Sequence, residues 1–304
     1  MKQNQIPGTD LEVSEICLGT MTFGTPVSES EAIILTQHAL DRGINFIDTA
    51  NMYEGYDRYS GSAGGVAETI LGKALKARRE SLVLATKVGM KVGEGAEDEG
   101  TSPEAIRKQL DLSLSRLATD YIDIYYLHRP DTAVPLADIL GELKNQIEKG
   151  KIRYYGISNY SAEQMAELLR IADRNHLPRP VIHQPPYSLL KRDIEKDLLP
   201  LCEKEGIAVA PYQVLQGGLL TGKYHQGEDV PEGSRKAEKA EWLPGFDDDL
   251  FSKLQIIETQ AGMKGRTMMQ HALLEVLEKS PVVSIVTGVK RIDQVESLIA
   301  AVER

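Results

Sequence analysis

Asp48, Lys87, His128, Asn159 and Gln184 each close a short apolar run, and Tyr53 follows the first of them in the adjoining loop. Taken singly, each has an ordinary structural role: a turn cap, a solvated strand end, a satisfied core histidine. Taken together they set an acid, a base, an imidazole and a phenol at equivalent places. A phenol with an ordinary pKa of about 10 is a poor proton donor at neutral pH unless a cation stabilises its phenolate. Lys87 is the candidate cation. Burial would tend to strip its proton unless a carboxylate holds the charge, and Asp48 is the candidate for that task. With His128 orienting or helping to protonate a carbonyl oxygen, the set suits carbonyl reduction. It supplies no hydride, so a cofactor must bring one.

Those roles require elements that deliver all the residues to one place. Short β-branched runs (INFID, LVLATK, YIDIYYLH, IRYYGIS, VIHQ, IAVAPY and VVSIVTG) alternate with segments of helical spacing, and Glu15 to Gly19 supplies a first strand. Helix starts are marked at Ser28 and Glu31, at Ser102 with Pro103, and at Ser161 with Gln164. Gly43, Gly150 and Gly206 mark exits. Eight strands in this order predict an α/β fold, a (β/α)8 TIM barrel, whose strand ends converge on one mouth. A doubly wound open sheet would permit the same alternation, but its GxGxxG fingerprint after the first strand is missing. Residues 3–13, turning at Pro7-Gly8-Thr9-Asp10, predict a small N-terminal β-hairpin across the barrel floor. The glycine-rich Gly61 to Gly65 lacks the Lys-Ser/Thr of a P-loop and reads as an active-face loop.

Composition narrows the function classes. The 304 residues are 41 % hydrophobic and 26 % charged, without a composition shift that would divide 1–304 into two domains. A formal charge of −10 argues against nucleic acid as a partner. The absence of a long apolar run argues against membrane insertion. Cys17 and Cys202 are the only cysteines and fit neither a disulfide framework nor a metal site, which suits a cytoplasmic protein.

Across its length the chain resembles the aldo-keto reductase family, on the motifs Leu18-Gly19-Thr20, FIDTANMY, LATKVG, YLHRPD, GISNY, HQPPYSLL, QGGLLTGKY and TGVKRIDQ. The pattern is most similar to the branch holding potassium-channel β subunits and many bacterial reductases. The resemblance implies a catalytic tetrad of Asp48, Tyr53, Lys87 and His128, with Tyr53 as general acid, and an extended NADPH/NADP+ across the mouth. It implies that Gly19, Thr20, Met21 and Asp48 border the cofactor, and that Ser158, Asn159 and Gln184 hold the nicotinamide carboxamide while Tyr187 stacks on the ring. The stretch Tyr212, Gln213, Val214, Leu215, Gln216 and Gly218, with Lys223 and Arg235, would follow the pyrophosphate. Gly288, Lys290 and Gln294 would hold the adenosine end. The implied partner is a small carbonyl substrate.

The chain also departs from that branch. Gln213-Val214-Leu215 stands where Ser-Pro-Leu is usual, Ser297 and Leu298 replace a Glu-Asn pair, and Met21 replaces an aromatic. The loop from Glu54 to Val66 and the lone Trp242 are expected to shape the rim. Two other classes are compatible with these residues: a redox-sensing binding module on the same tetrad, and a barrel lyase using Lys87 as a Schiff base.

Overall fold

The computed structural model describes residues 1–303. Its hairpin pairs β1 (Gln3–Gln5) antiparallel with β2 (Glu12–Ser14). Eight parallel strands follow: β3 (Ile16–Gly19), β4 (Phe46–Asp48), β5 (Val83–Val88), β6 (Ile122–Leu127), β7 (Ile152–Ser158), β8 (Ile182–Gln184), β9 (Ala208–Val209) and β10 (Ile285–Gly288). The sheet runs from β10 through β3 to β9 in sequence order, and a bridge between Val209 and Val282 joins its two ends. This is the expected barrel with its floor hairpin.

Strand periodicity decides what the barrel contains, because alternate side chains point to opposite faces. Cys17, Phe46, Ala85, Ile124, Tyr126, Ile182 and Ala208 form an interior cluster with Ile6, Leu11 and Val13 of the hairpin, so the hairpin plugs the floor. Leu18, Ile47, Leu84, Tyr125, Leu127 and Ile157 face the helices in the larger outer cluster. Two residues beyond an interior position the chain again points inward. This parity carries Asp48 above Phe46, Lys87 above Ala85 and Gln184 above Ile182. Gly156 makes room lower down: a Cβ there would lie 2.5 Å from the Tyr126 ring and 2.9 Å from Ile182.

The helices that face the strands start where local chemistry sets them. Ser28 caps α1 (Glu29–Asp41) in a capping box with Glu31, and Ser102 caps α3 (Pro103–Leu117). Ser161 caps α5 (Ala162–Arg174) in a second box with Gln164. Between α1 and α3 lies α2 (Val66–Ala74), and α4 (Leu136–Glu148) and α6 (Leu198–Glu205) complete the run up to β9. The buried Glu68 of α2 accepts from Thr86 of β5 at 2.6 Å and from Arg116 of α3 at 3.0 Å. That pins the outward face of the strand whose next residue is Lys87.

The long interval before β10 is not an empty gap. It holds a short helix α7 (Arg235–Glu238), then α8 (Asp248–Met263) and α9 (Met268–Leu277). A separate apolar cluster of Leu219, Tyr224, Leu243, Leu250, Leu254 and Met268 fastens this excursion to the barrel. The terminal α10 (Ile292–Val302) packs beside α9 and α1. Leu298 is buried in it, and Ser297 donates back to the Asp293 carbonyl. Leu298 therefore offers no polar group, while the Ser297 hydroxyl stays exposed on the helix surface. Among the described residues, no helix is long and apolar enough to cross a membrane.

His183 alternates outward on β8, fully buried, with Nε2 3.2 Å from the Tyr160 carbonyl. Burial pushes its pKa down to about 4. The unfolded chain binds a proton near the ordinary value of about 6.5 and the native chain does not, so stability must fall as pH drops through that window. Chemical denaturation of the protein and of His183→Asn should show the variant losing about 2 kcal/mol less between about pH 7 and about pH 5. Equal losses would mean that His183 is not held neutral by the fold.

Candidate active site

The mouth of the barrel is organised around one buried ammonium. Lys87 is 0 % exposed and its Nζ donates to Asp48 Oδ2 at 2.5 Å, to the Thr49 carbonyl at 2.8 Å and to Tyr53 Oη at 3.3 Å. An ammonium has three protons, and all three are placed. Asp48 is held in turn, because Gln184 Nε2 donates to its Oδ1 at 2.8 Å. Thr20, fully buried at the end of β3, donates through both N and Oγ1 to the Asp48 carbonyl and so fixes the end of β4.

These contacts decide the protonation states. Burial by itself would push the Lys87 ammonium down, but the Asp48 carboxylate, with Tyr53, more than offsets it and leaves Lys87 above the ordinary lysine value. That keeps the amine charged and argues against the Schiff-base class. For Tyr53 the balance runs the other way: burial raises the phenol and outweighs the lowering by Lys87. The sequence-based expectation of a phenol made acidic is thus corrected. The cation is in place, yet the hydroxyl remains protonated well into alkaline solution. Because Tyr53 Oη accepts from Lys87, its own proton is free to be donated elsewhere.

His128 follows β6 and meets Tyr53 edge to face, with ring centroids 6.1 Å apart. Burial, and then Lys87, Arg129 and Arg58, hold its pKa well below the ordinary histidine value. A neutral imidazole here can orient an oxygen through its one N–H but is too weak an acid to protonate it. Asn159, at the end of β7 with φ of +63°, donates to the His128 carbonyl at 2.9 Å and accepts from Tyr212 Oη at 2.8 Å. Ser158 donates to the Gln184 carbonyl at 2.7 Å. Asp48, Tyr53, Lys87, His128, Ser158, Asn159 and Gln184 therefore share one mouth, as expected.

Tyr187 does not join them. It is 0 % exposed and its hydroxyl donates to Glu195 Oε1, so no ring face is open for stacking; this corrects its assignment. The aromatic at the rim is Tyr212, beside Asn159. The resemblance had placed Tyr212 only in the stretch that follows the pyrophosphate. Val214 is also buried, in the core rather than at the surface.

Whether these residues suit an anionic cofactor can be tested on the segment after β9. Gln213, Gln216, Gly217 and Gly218 all adopt positive φ, from 46° to 99°, and the N–H groups of Gln216 and Gly218 close turns onto the Gln213 and Leu215 carbonyls. Lys223 lies against Gly218, and among the described residues it has no carboxylate partner within salt-bridge distance. Burial pushes it down, and Lys290, Arg291 and Arg235 push it further. Lys223 and Arg235, without a carboxylate partner among the described residues in a chain of formal charge −10, fit a phosphate-bearing ligand, whereas Arg291 is paired with Asp293. Arg235 stacks over the Tyr56 and Trp242 rings at 4.7 and 5.1 Å. Lys290 is engaged: its Nζ donates to the Gly233 carbonyl at 2.5 Å and to Glu238 at 2.6 Å, while Gln294 accepts from its backbone N–H. Met21 lies on the other side, in the cavity beside Tyr53 with Met52, Met90 and Arg58, of which only Met21 was anticipated from sequence.

Comparison with known proteins agrees with this geometry. The chain is 33 % identical over its whole length to a probable voltage-gated potassium channel subunit beta of Arabidopsis thaliana, covering 92 % of that protein. It is 34 % identical to the uncharacterized oxidoreductase YrpG of Bacillus subtilis, covering 100 % of this chain and 91 % of that one. The L-glyceraldehyde 3-phosphate reductase of Escherichia coli O157:H7 is 32 % identical over 90 % of this chain and 79 % of its own. Among solved structures, the holo form of aldo-keto reductase AKR11C1 from Bacillus halodurans superposes with a TM-score of 0.81 at 30 % identity, covering 100 % of this chain and 91 % of that chain. Residues 15–304 match the aldo/keto reductase family profile, and with the barrel and the buried Lys87 at its mouth the chain belongs to that family of nicotinamide-dependent oxidoreductases.

Proposed function

We propose that the protein reduces aldehydes or ketones to alcohols with NADPH, using Tyr53 as the general acid supported by Lys87, Asp48 and His128. The observation that carries this reading is the saturated Lys87 ammonium, which donates to Tyr53 and, offering no acceptor, does not take up the phenolic proton. NADPH, when bound, supplies the hydride that reduces the carbonyl carbon. Tyr53 gives its proton to the carbonyl oxygen, and the tyrosinate left behind sits 3.3 Å from a cation that is already in place. His128, neutral, orients that oxygen by a hydrogen bond. The reverse, alcohol oxidation, uses the same groups with Tyr53 as base.

In this reading Tyr212 offers its ring to the nicotinamide, and Ser158, Asn159 and Gln184 border the carboxamide. The left-handed turns from Gln213 to Gly218, with Lys223 and Arg235, hold the pyrophosphate. Gly288, Lys290 and Gln294 hold the adenosine end, and Gly19, Thr20 and Met21 flank the site. The reading takes 1–304 as one domain working in the cytoplasm, where Cys17 and Cys202, both buried and unpaired, are in keeping with a reducing compartment.

Replacing Tyr53 by Phe removes the proton donor and little else. Turnover with a simple aldehyde should fall by roughly 10²- to 10⁴-fold while coenzyme affinity stays within a few-fold. Steady-state kinetics with a parallel fluorescence titration of NADPH checks both. A variant keeping most of its kcat would remove Tyr53 from this role.

Preference for the phosphorylated coenzyme rests on Lys290, whose ammonium must give up Glu238 to meet a 2′-phosphate. A point-charge contact of this kind is worth about a kcal/mol, so Lys290→Ala should weaken NADPH by about threefold to tenfold and leave NADH nearly unaffected. Equal weakening of both coenzymes would show that Lys290 does not read that phosphate.

A further inference from the structure

The cavity beside Tyr53 has a volume of about 520 Å³, within the range that encloses small organic ligands. Its walls are apolar and polarisable: Met21, Met52 and Met90 from three strand-end loops, Tyr56 and Tyr59 from the loop after β4, and Trp242 from the excursion before β10. Tyr56 and Trp242 meet edge to face with centroids 5.2 Å apart, so two separate loops build one aromatic wall. Thioethers adapt to flat and branched shapes alike. This surface suits an aromatic or aliphatic body attached to the reacting carbonyl.

Three cations also line the cavity, and each is already neutralised. Arg58 spends its donors on the Met52 carbonyl at 3.1 Å, Ser62 Oγ at 3.3 Å and the Lys91 carbonyl at 2.5 Å, with Glu54 at 4.0 Å. Lys91 pairs with Glu94 at 3.2 Å, and Arg129 pairs with Glu99 at 2.7 Å. An anionic substrate would therefore have to displace a carboxylate before gaining any attraction, inside a protein whose overall charge repels it. Arg235 and Lys239, which among the described residues have no carboxylate within salt-bridge distance, lie against the Tyr56 and Trp242 rings without lining the cavity, and Lys223 lies in the neighbouring segment assigned above to the coenzyme.

Resting on the carbonyl-reduction reading above, we infer that this cavity selects neutral carbonyl compounds with an aromatic or apolar body and discriminates against carboxylated or phosphorylated ones. Glu99 sets that selection by cancelling Arg129.

Trp242 is the single tryptophan of the chain and lines the cavity, so its fluorescence reports occupancy without turnover. 4-Methylbenzaldehyde and 4-carboxybenzaldehyde have similar size and differ in charge. Their kcat/KM values with NADPH, and the affinities of the corresponding alcohols by Trp242 fluorescence, should both favour the methyl compounds by at least about fivefold. In Glu99→Gln, the carboxylate-to-methyl ratio should rise about threefold or more, the scale of one exposed ion pair. Equal or preferred use of the carboxylated compounds by the unmodified protein would overturn the inference, as would an unchanged ratio in Glu99→Gln. If neither aldehyde is reduced while the fluorescence still ranks the alcohols as expected, the reduction reading fails and the charge selection of the cavity stands.

Discussion

Everything at the mouth of this barrel depends on keeping a lysine charged where water does not reach it. Desolvating an ammonium costs several kcal/mol, and the cost is offset only when a counter-ion and the remaining hydrogen-bond acceptors stand ready. Asp48 supplies the charge, and the Thr49 carbonyl and Tyr53 hydroxyl take the other protons. A buried pair of this kind is weak evidence for stability, since apolar residues of similar volume often serve as well. Its presence at the convergence of the strands is better explained by what it does to its third partner, the phenol.

The fold meets that requirement by layers. Gln184 fixes one Asp48 oxygen while Lys87 takes the other, and Thr20 fixes the backbone behind them. Outside the strand, Glu68 ties Thr86 to Arg116, so β5 is held from the helix side at the residue before the lysine. Inside, Gly156 yields space to the Tyr126 ring, whose centroid lies 5.9 Å from the ammonium. Asp48, Lys87 and Gln184 thus stand on strands whose positions are set by packing, Tyr53 stands in the loop after β4, and the cations proposed to meet the coenzyme stand on the segments after β9 and β10. The first group is held by the parallel ladder of the barrel. The second is held by exchangeable pairs such as Lys290 with Glu238.

Much of this was legible in the chain. Periodicity and capping residues located the strands and helices because both signals are local, and the convergence of strand ends in a barrel then carried Asp48, Lys87 and Gln184 to one mouth. Tyr187 was misjudged because a tyrosine three residues after a strand reads the same whether its ring turns to the rim or the core, and only the Glu195 partner decides. The net direction of the Tyr53 shift was likewise unreadable, since it is a difference between burial and Lys87 that depends on depth. Arg58, Met52 and Met90 were missed for want of any pattern: they enter the site through irregular loops, and their common cavity exists only in three dimensions.

The central claim is that Lys87 acts on Tyr53 as a fixed cation, and the pH dependence of reduction in Lys87→Met tests it most directly. Reduction needs the protonated phenol, so the rate holds until pH rises through the phenol's pKa and declines above it. Removing the cation raises that pKa, because the tyrosinate loses its stabilising charge. The account predicts a kcat lowered by orders of magnitude whose alkaline decline moves to higher pH or beyond the accessible range. A variant with the same alkaline limb and comparable kcat would contradict it.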